Sequence, residues 1–259
     1  MTDLLRAELL KLRTTRTFTR LMVALAAVLV ATVLVPVALS PLHTGRFALT
    51  GDFAQRTLLS GSATAAGVFA LVLGVLGFAG EYRHGTVTPT LLVTPARRRV
   101  MGAKAITYTL AGCALGALTS LIGLVVTLLG LHARGVALVL SGPDLVAIVA
   151  GSIGYVGFAA LLGLGVGAAV RDQVAALVGI LVLFFIIENV LVGVIPSVAR
   201  WLPGQAGSAL AFPSGAGPGG QGLLGASVLP QSVGGVVFLA YALLAAALGA
   251  AAAQRRDIT

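Results

Sequence analysis

Six stretches of this chain, 21–39, 63–80, 106–131, 145–170, 174–195 and 233–253, are apolar for long enough to cross a bilayer. A helix rises about 1.5 Å per residue and the hydrocarbon core is about 30 Å thick, so about 20 apolar residues make one span. Lipid offers no partner for backbone N–H and C=O groups, and continuous apolar runs of this length satisfy them only as helices. The expected fold is an all-α membrane protein, six transmembrane helices in one domain over residues 1–259. Composition agrees: 58% of the residues are hydrophobic and only 10% charged, too few to cover the surface of a water-soluble domain of 259 residues.

The connectors set the orientation. Arg6, Lys11, Arg13, Arg16 and Arg20 precede the first span, and Arg83, Arg97, Arg98, Arg99 and Lys104 lie between the second and third. Arg171 follows the fourth, and Arg255 and Arg256 follow the sixth. The opposite connectors hold Arg46, Arg56, Arg134 and Arg200. Thirteen basic residues against four predict that both termini are cytoplasmic. The first segment is too long for a signal peptide, and Pro41 stands where cleavage would have to occur. The net charge of +9 is accounted for by flanks that face anionic headgroups, so no nucleic-acid partner is expected. Cys113 is alone, which excludes an internal disulfide or a cysteine-based metal site. A preference for Arg over Lys, with abundant Ala and Gly, fits a GC-rich bacterial genome, so the expected location is the bacterial cytoplasmic membrane.

Two connectors have internal order. Residues 3–20 carry Leu5, Leu9 and Leu12 on one stripe and Arg6, Arg13 and Arg20 on another, which predicts an amphipathic helix (within 1–20) lying on the inner leaflet. Thr2 reads as its N-cap, and Asp3 suits the positive end of the helix dipole. Between the second and third spans, residues 81–104, Gly85 breaks the helix and Thr88-Pro89 reads as an N-cap followed by proline at the first helical position. Thr94-Pro95 repeats the device. The prediction is a short helix through Val93 bearing Leu91 and Leu92, then a second helix from Pro95 that carries Arg97, Arg98 and Arg99 at headgroup level into the third span.

The run from Phe78 to Lys104, with Glu81, Gly85-Thr86, Leu91-Leu92, Pro95 and the basic residues after it, resembles the first intracellular loop of ATP-binding-cassette permeases of the second exporter type. The amino-terminal RAELLKLRTTR is similar to the interfacial helix that opens actinobacterial members, and the carboxyl-terminal half follows the family's layout. The resemblance implies a six-helix permease subunit that pairs with a second permease copy or a paralogue and with separate ATPase subunits. It implies that ATP and Mg are bound by the partner ATPase and that this chain binds no cofactor. It also implies that Thr86 to Val93, including Pro89, Leu91 and Leu92, couple to the ATPase, with Glu81 as brace and Gly85 and Pro95 framing the coupling helix. Arg13, Arg16, Arg20, Arg97, Arg98, Arg99 and Lys104 are read as the basic residues at the membrane interface.

The connector 196–232 is rich in proline and glycine, which precludes a seventh crossing. Its apolar pieces, 223–229 above all, predict a re-entrant segment in the outer leaflet before the last helix, and Trp201 suits the interfacial aromatic belt. Glu188 is the only charged side chain deep within a predicted span, about 10 Å from its outer end. At about 3 kcal/mol for an intramembrane charge, it must be protonated, paired or facing a polar cavity. One reading has Glu188, assisted by Asn189, face the subunit interface and hydrogen-bond the re-entrant segment or line a substrate path or outer gate; the other satisfies it with backbone amides. Gly112 and Gly116 in the third span, and Gly151, Gly154, Gly157, Gly163 and Gly167 in the fourth, read as packing seams.

No GxxxxGK[ST] motif is present, so the chain is not expected to hydrolyse ATP. His43, His84 and His132 are too scattered for a zinc cluster, and Ser227 lacks an intramembrane base. The expected function is therefore a non-enzymatic transport subunit, exporting a hydrophobic or amphiphilic substrate with energy from its partner. A secondary carrier would call for broken spans and several intramembrane ionisable residues, and a scaffold or sensor for a soluble output domain.

Overall fold

A computed structural model describes residues 2–14, 16–41, 48–83, 97–170, 172–212 and 228–254. The helices are α1 (Thr2–Thr14), α2 (Arg16–Leu39), α3 (Asp52–Arg83), α4 (Arg97–Ala133), α5 (Gly142–Ala169) and α6 (Gln173–Val182). A π-helical turn, Leu183–Ile187, joins α6 to α7 (Glu188–Val194), and α8 (Pro196–Ala199), α9 (Pro203–Ala211) and α10 (Gln231–Gln254) follow. Among the described residues there is no strand. Six helical segments are long and apolar enough to cross a membrane: Phe18–Leu39, Asp52–Glu81, Arg98–Ala133, Gly142–Ala169, Gln173–Val194 and Gln231–Gln254.

The expected spans coincide with these helices to within one residue at their ends or lie inside them, and several helices run further. α3 begins eleven residues before the expected start of the second span. Its extra turns are polar, yet Gln55 is fully buried: its amide donates to the Leu49 carbonyl (3.0 Å) and the Ala137 carbonyl (2.9 Å) and accepts from Val139 N–H (2.8 Å). One turn on, the Arg56 guanidinium bridges Asp52 (2.8 Å) and Asp144 (2.7 Å). These clamps replace hydropathy as the reason for helix there, because each polar group that leaves water gains a partner. Arg134 closes the same end by donating to the carbonyls of Val37, Ala38 and Ser40, where α2 has no further turn to satisfy them.

α5 is the hub. It starts from a capping box, with Ser141 accepting from Asp144 N–H and the Asp144 side chain accepting from Ser141 N–H. From Gly151 onward none of its residues is exposed. A Cβ at Gly163 or Gly167 would meet the α3 backbone at Leu71 or Val75, and one at Gly165 would meet the α10 backbone at Ala245 and Ala246. One at Gly157 would meet Cys113 of α4. The glycines expected to form a seam thus serve several, letting neighbours approach where no hydrophobic force drives helices together in lipid. The main core lies here, around Leu71, Val75, Val156, Ala160 and Phe238, with Tyr155 stacked on Phe238 at 5.5 Å.

The periphery is apolar and uncovered. Val23, Leu34, Leu110, Leu121, Leu129, Val178, Phe185, Val236 and Leu248 are all exposed along the long helices. A second apolar cluster at the basic end, including Leu12, Phe78, Met101, Tyr108, Leu164 and Ala253, gathers α1, α3, α4, α5 and α10. In α1 the inward positions are Glu8 and Leu12, at 4% and 5% exposure, while Leu9 of the predicted stripe is 48% exposed.

Candidate functional site

Besides the Arg56 clamp, two constellations bring charged groups into the helical body. At the basic end, Glu8 of α1, Glu81 of α3 and Lys104 of α4 converge with Lys11 of α1. Lys104 Nζ donates to Glu8 Oε2 at 2.7 Å, to Glu81 Oε1 at 2.8 Å and to the Gly77 carbonyl at 3.3 Å. An ammonium has three N–H bonds, and these three acceptors match them. Lys11 Nζ donates to Glu8 Oε1 and to Glu81 Oε1, both at 2.9 Å. The four side chains therefore close a ring in which signs alternate, Glu8, Lys11, Glu81, Lys104.

Lys104 is 1% exposed. The sequence groups it with the headgroup-level arginines, but its side chain is buried and its charge stays inside the ring. Arg20, Arg98 and Arg99 are exposed. Burial alone would raise the Glu8 pKa, but the charge of Lys104 and the hydrogen bonds from Lys104 and Lys11 outweigh it and hold Glu8 below the usual carboxylate range. Burial opposes the charge on Lys11 too, and its bonds to Glu8 and Glu81 prevail, raising its pKa. A buried charge left unpaired is costly, so the ring holds its members together or not at all.

Position gives the ring its interest. Glu81 lies at the end of α3 and Lys104 in the second turn of α4, so the ring ties the two helices on either side of residues 84–96 to each other and to α1. Gly85, Thr86, Pro89, Leu91, Leu92, Val93 and Pro95, the predicted coupling residues, lie outside the described residues. Arg13, Arg16 and Arg97 are on described helices, with side chains outside the described set. Glu8 was not singled out by sequence reasoning. Its signal was the spacing of Glu8 and Lys11, three apart on a helix face, together with a lone lysine at the start of an apolar span.

At the far end, Glu188 is fully buried. Its two carboxylate oxygens accept from the backbone N–H groups of Gly204 (2.9 Å) and Gln205 (3.0 Å), the first turn of α9. A helix N-terminus presents unsatisfied N–H groups and a positive dipole end, and Pro203 opens this one. A Cβ on Gly204 would collide with the Glu188 carboxylate, so the close approach depends on glycine. Backbone amides satisfy Glu188, then, and they come from the connector between the fifth and sixth spans. α9 packs against α5 and α10, with Ala206 and Ala209 fully buried.

Asn189 does not join Glu188. Its side-chain amide donates to the carbonyls of Phe184 (3.3 Å) and Phe185 (3.0 Å), in the π-helical turn. Such turns loosen the regular ladder, and Asn189 satisfies acceptors in it. Sequence reasoning placed the apolar piece of this connector at 223–229. Residues 213–227, most of that piece included, are outside the described set; the described helices of the connector are Pro196–Ala199 and Pro203–Ala211. Among the described residues no cluster of His, Cys, Asp and Glu could hold a metal ion.

Six helices long and apolar enough to span a membrane and an uncovered apolar girdle define a multi-pass α-helical membrane protein. Compared with models of known protein families and with curated proteins, the chain matches none.

Proposed function

We propose that the chain is the transmembrane permease subunit of an ATP-binding-cassette exporter of the second type, driven by a separate ATPase. The observation that carries the reading is the alternating ring of Glu8, Lys11, Glu81 and Lys104 at the root of residues 84–96. A connector that receives force from a soluble motor needs a stiff base, and four mutually paired charges joining three helices supply one. In this reading α1 lies on the inner leaflet with Leu9 and Leu10 toward lipid, and both termini face the cytoplasm of a bacterial cell. Residues 86–93 then form the coupling helix.

The partner ATPase closes on ATP and Mg, displaces the 86–93 segment, and the ring passes that displacement to α3, α4 and α1 together. The membrane helices then exchange between inward- and outward-open arrangements, a two-state element biased from a distant site. A second permease copy or paralogue completes the path. At the outer side α9 acts as a short re-entrant helix, and Glu188 anchors it to the fifth span. The chemistry of the spans fits a hydrophobic or amphiphilic substrate.

Purification of the tagged chain from its native membranes tests this. The expected result is co-purification of a soluble P-loop ATPase and, after reconstitution, ATP-dependent movement of an amphiphile. A chain that transports alone, or that isolates repeatedly without any ATPase, contradicts the proposal.

A further inference from the structure

At the basic end α4, α5 and α10 part around a crevice of about 190 Å³, lined by Met101, Leu164, Ala246 and Ala250, with Arg98 and Gln254 at its mouth. Its closed end is set by Gly165, where α5 and α10 come so near that a Cβ would meet the backbone of Ala245 and Ala246. From Gln254 to Ala246 is eight residues, or about 12 Å along the helix, against about 15 Å for the hydrocarbon of one leaflet. The lining residues of α10 thus span most of one leaflet's hydrocarbon, and the apolar walls between them give water no hydrogen-bond partners.

The mouth is basic. Arg98 Nε donates to Gln254 Oε1 at 3.1 Å, which holds the guanidinium across the opening. Arg99 follows it, and the two residues after Gln254 in the sequence are Arg255 and Arg256. Arg98 and Gln254, far apart in the chain, thus meet at one place. A need for basic residues to set topology accounts for arginine anywhere at this end. It does not account for an apolar slot directly beneath them. A guanidinium fork is matched to phosphate oxygens, and basic pockets between spans on the cytoplasmic side recognise anionic headgroups.

We propose that this crevice binds one anionic glycerophospholipid, with its phosphate on Arg98 and an acyl chain between α4, α5 and α10. The inference rests on the proposed orientation, which sets the crevice in the inner leaflet, and it is independent of the ATPase. Native mass spectrometry of the full chain in mild detergent, loaded with phosphatidylglycerol or phosphatidylcholine, tests it without either. One phosphatidylglycerol should be retained in preference to phosphatidylcholine. Arg98→Gln, at an exposed position, should lower that retention about fivefold, the factor expected for one arginine near an anionic surface, and Arg98→Lys, which keeps the charge but not the fork, should restore only part of it. Ala250→Phe, or the milder Ala246→Leu, should fill the slot and reduce retention of both lipids, whereas Arg20→Gln should change neither. Equal retention by the wild type and Arg98→Gln, undiminished retention in the filled variants, or displacement of the lipid by millimolar inorganic phosphate would overturn the assignment.

Discussion

A lysine 1% exposed inside a helix that also borders lipid is tolerable only while its acceptors stay charged. Lys104→Met should leave Glu8 and Glu81 short of their buried counter-charge and destabilise the protein by about 3–5 kcal/mol, read as a lowered thermal unfolding midpoint in detergent. The ring also sets a pH window. Glu8 has a folded pKa below its ordinary value of 4.5, so its contribution is present above that value and is lost as pH falls through the folded pKa. Lys11 has a folded pKa above 10.5, so its contribution is present below that value and is lost as pH rises through the folded one. Unfolding midpoints should therefore decline on both sides of that interval, and Glu8→Gln should flatten the acid limb. Glu188 gives a second residue-level test. Glu188→Gln keeps one acceptor for two backbone N–H groups, and Gly204→Ala pushes the carboxylate off them. Each should cost about 1–3 kcal/mol, and the double variant should cost less than the sum, because both break the same contact.

Among the helices, close approach decides which glycines matter. Gly163→Ala in α5 would drive a methyl group into the Leu71 carbonyl of α3 and should destabilise by about 1–3 kcal/mol. Gly193→Ala in α7 meets nothing within 4 Å and should be neutral or stabilising by up to about 1 kcal/mol. Thermal unfolding of the two variants side by side checks the contrast. The six long helices were legible because an apolar run of about 20 residues has few alternatives. Their ends were not: the first turns of α3 are polar, and they are helical because Gln55 finds partners at Ala137 and Val139 in a distant loop and Arg56 finds Asp144 in the first turn of α5. α9 was hidden by its prolines and glycines, although Pro203 is a helix-opening residue as well as a turn residue. Glu188 was legible as a residue that needs a partner, but the partner lies sixteen and seventeen positions on, in backbone groups that no side-chain pattern announces. The ring was half legible: Glu81 and Lys104 stood out in the connector, whereas Glu8 pairs with Lys104 across ninety-six positions of sequence, which no local spacing announces.

The whole molecule is one helical body with a clamp at each end, an ionic ring at the basic end and the Gln55, Arg56 and Arg134 contacts at the other. Its orientation can be read by labelling. With Cys113 replaced by serine, a cysteine at Thr90 should react with an impermeant maleimide only after the membrane is opened, and one at Gly215 should react from outside intact cells. The central claim, that residues 86–93 grip a separate ATPase from a base stiffened by the ring, is tested most directly by affinity purification of the Leu91→Asp, Leu92→Asp double variant beside the wild type. The account predicts that the variant inserts and purifies normally but loses the co-purifying ATPase. Undiminished ATPase in the variant's eluate would contradict it.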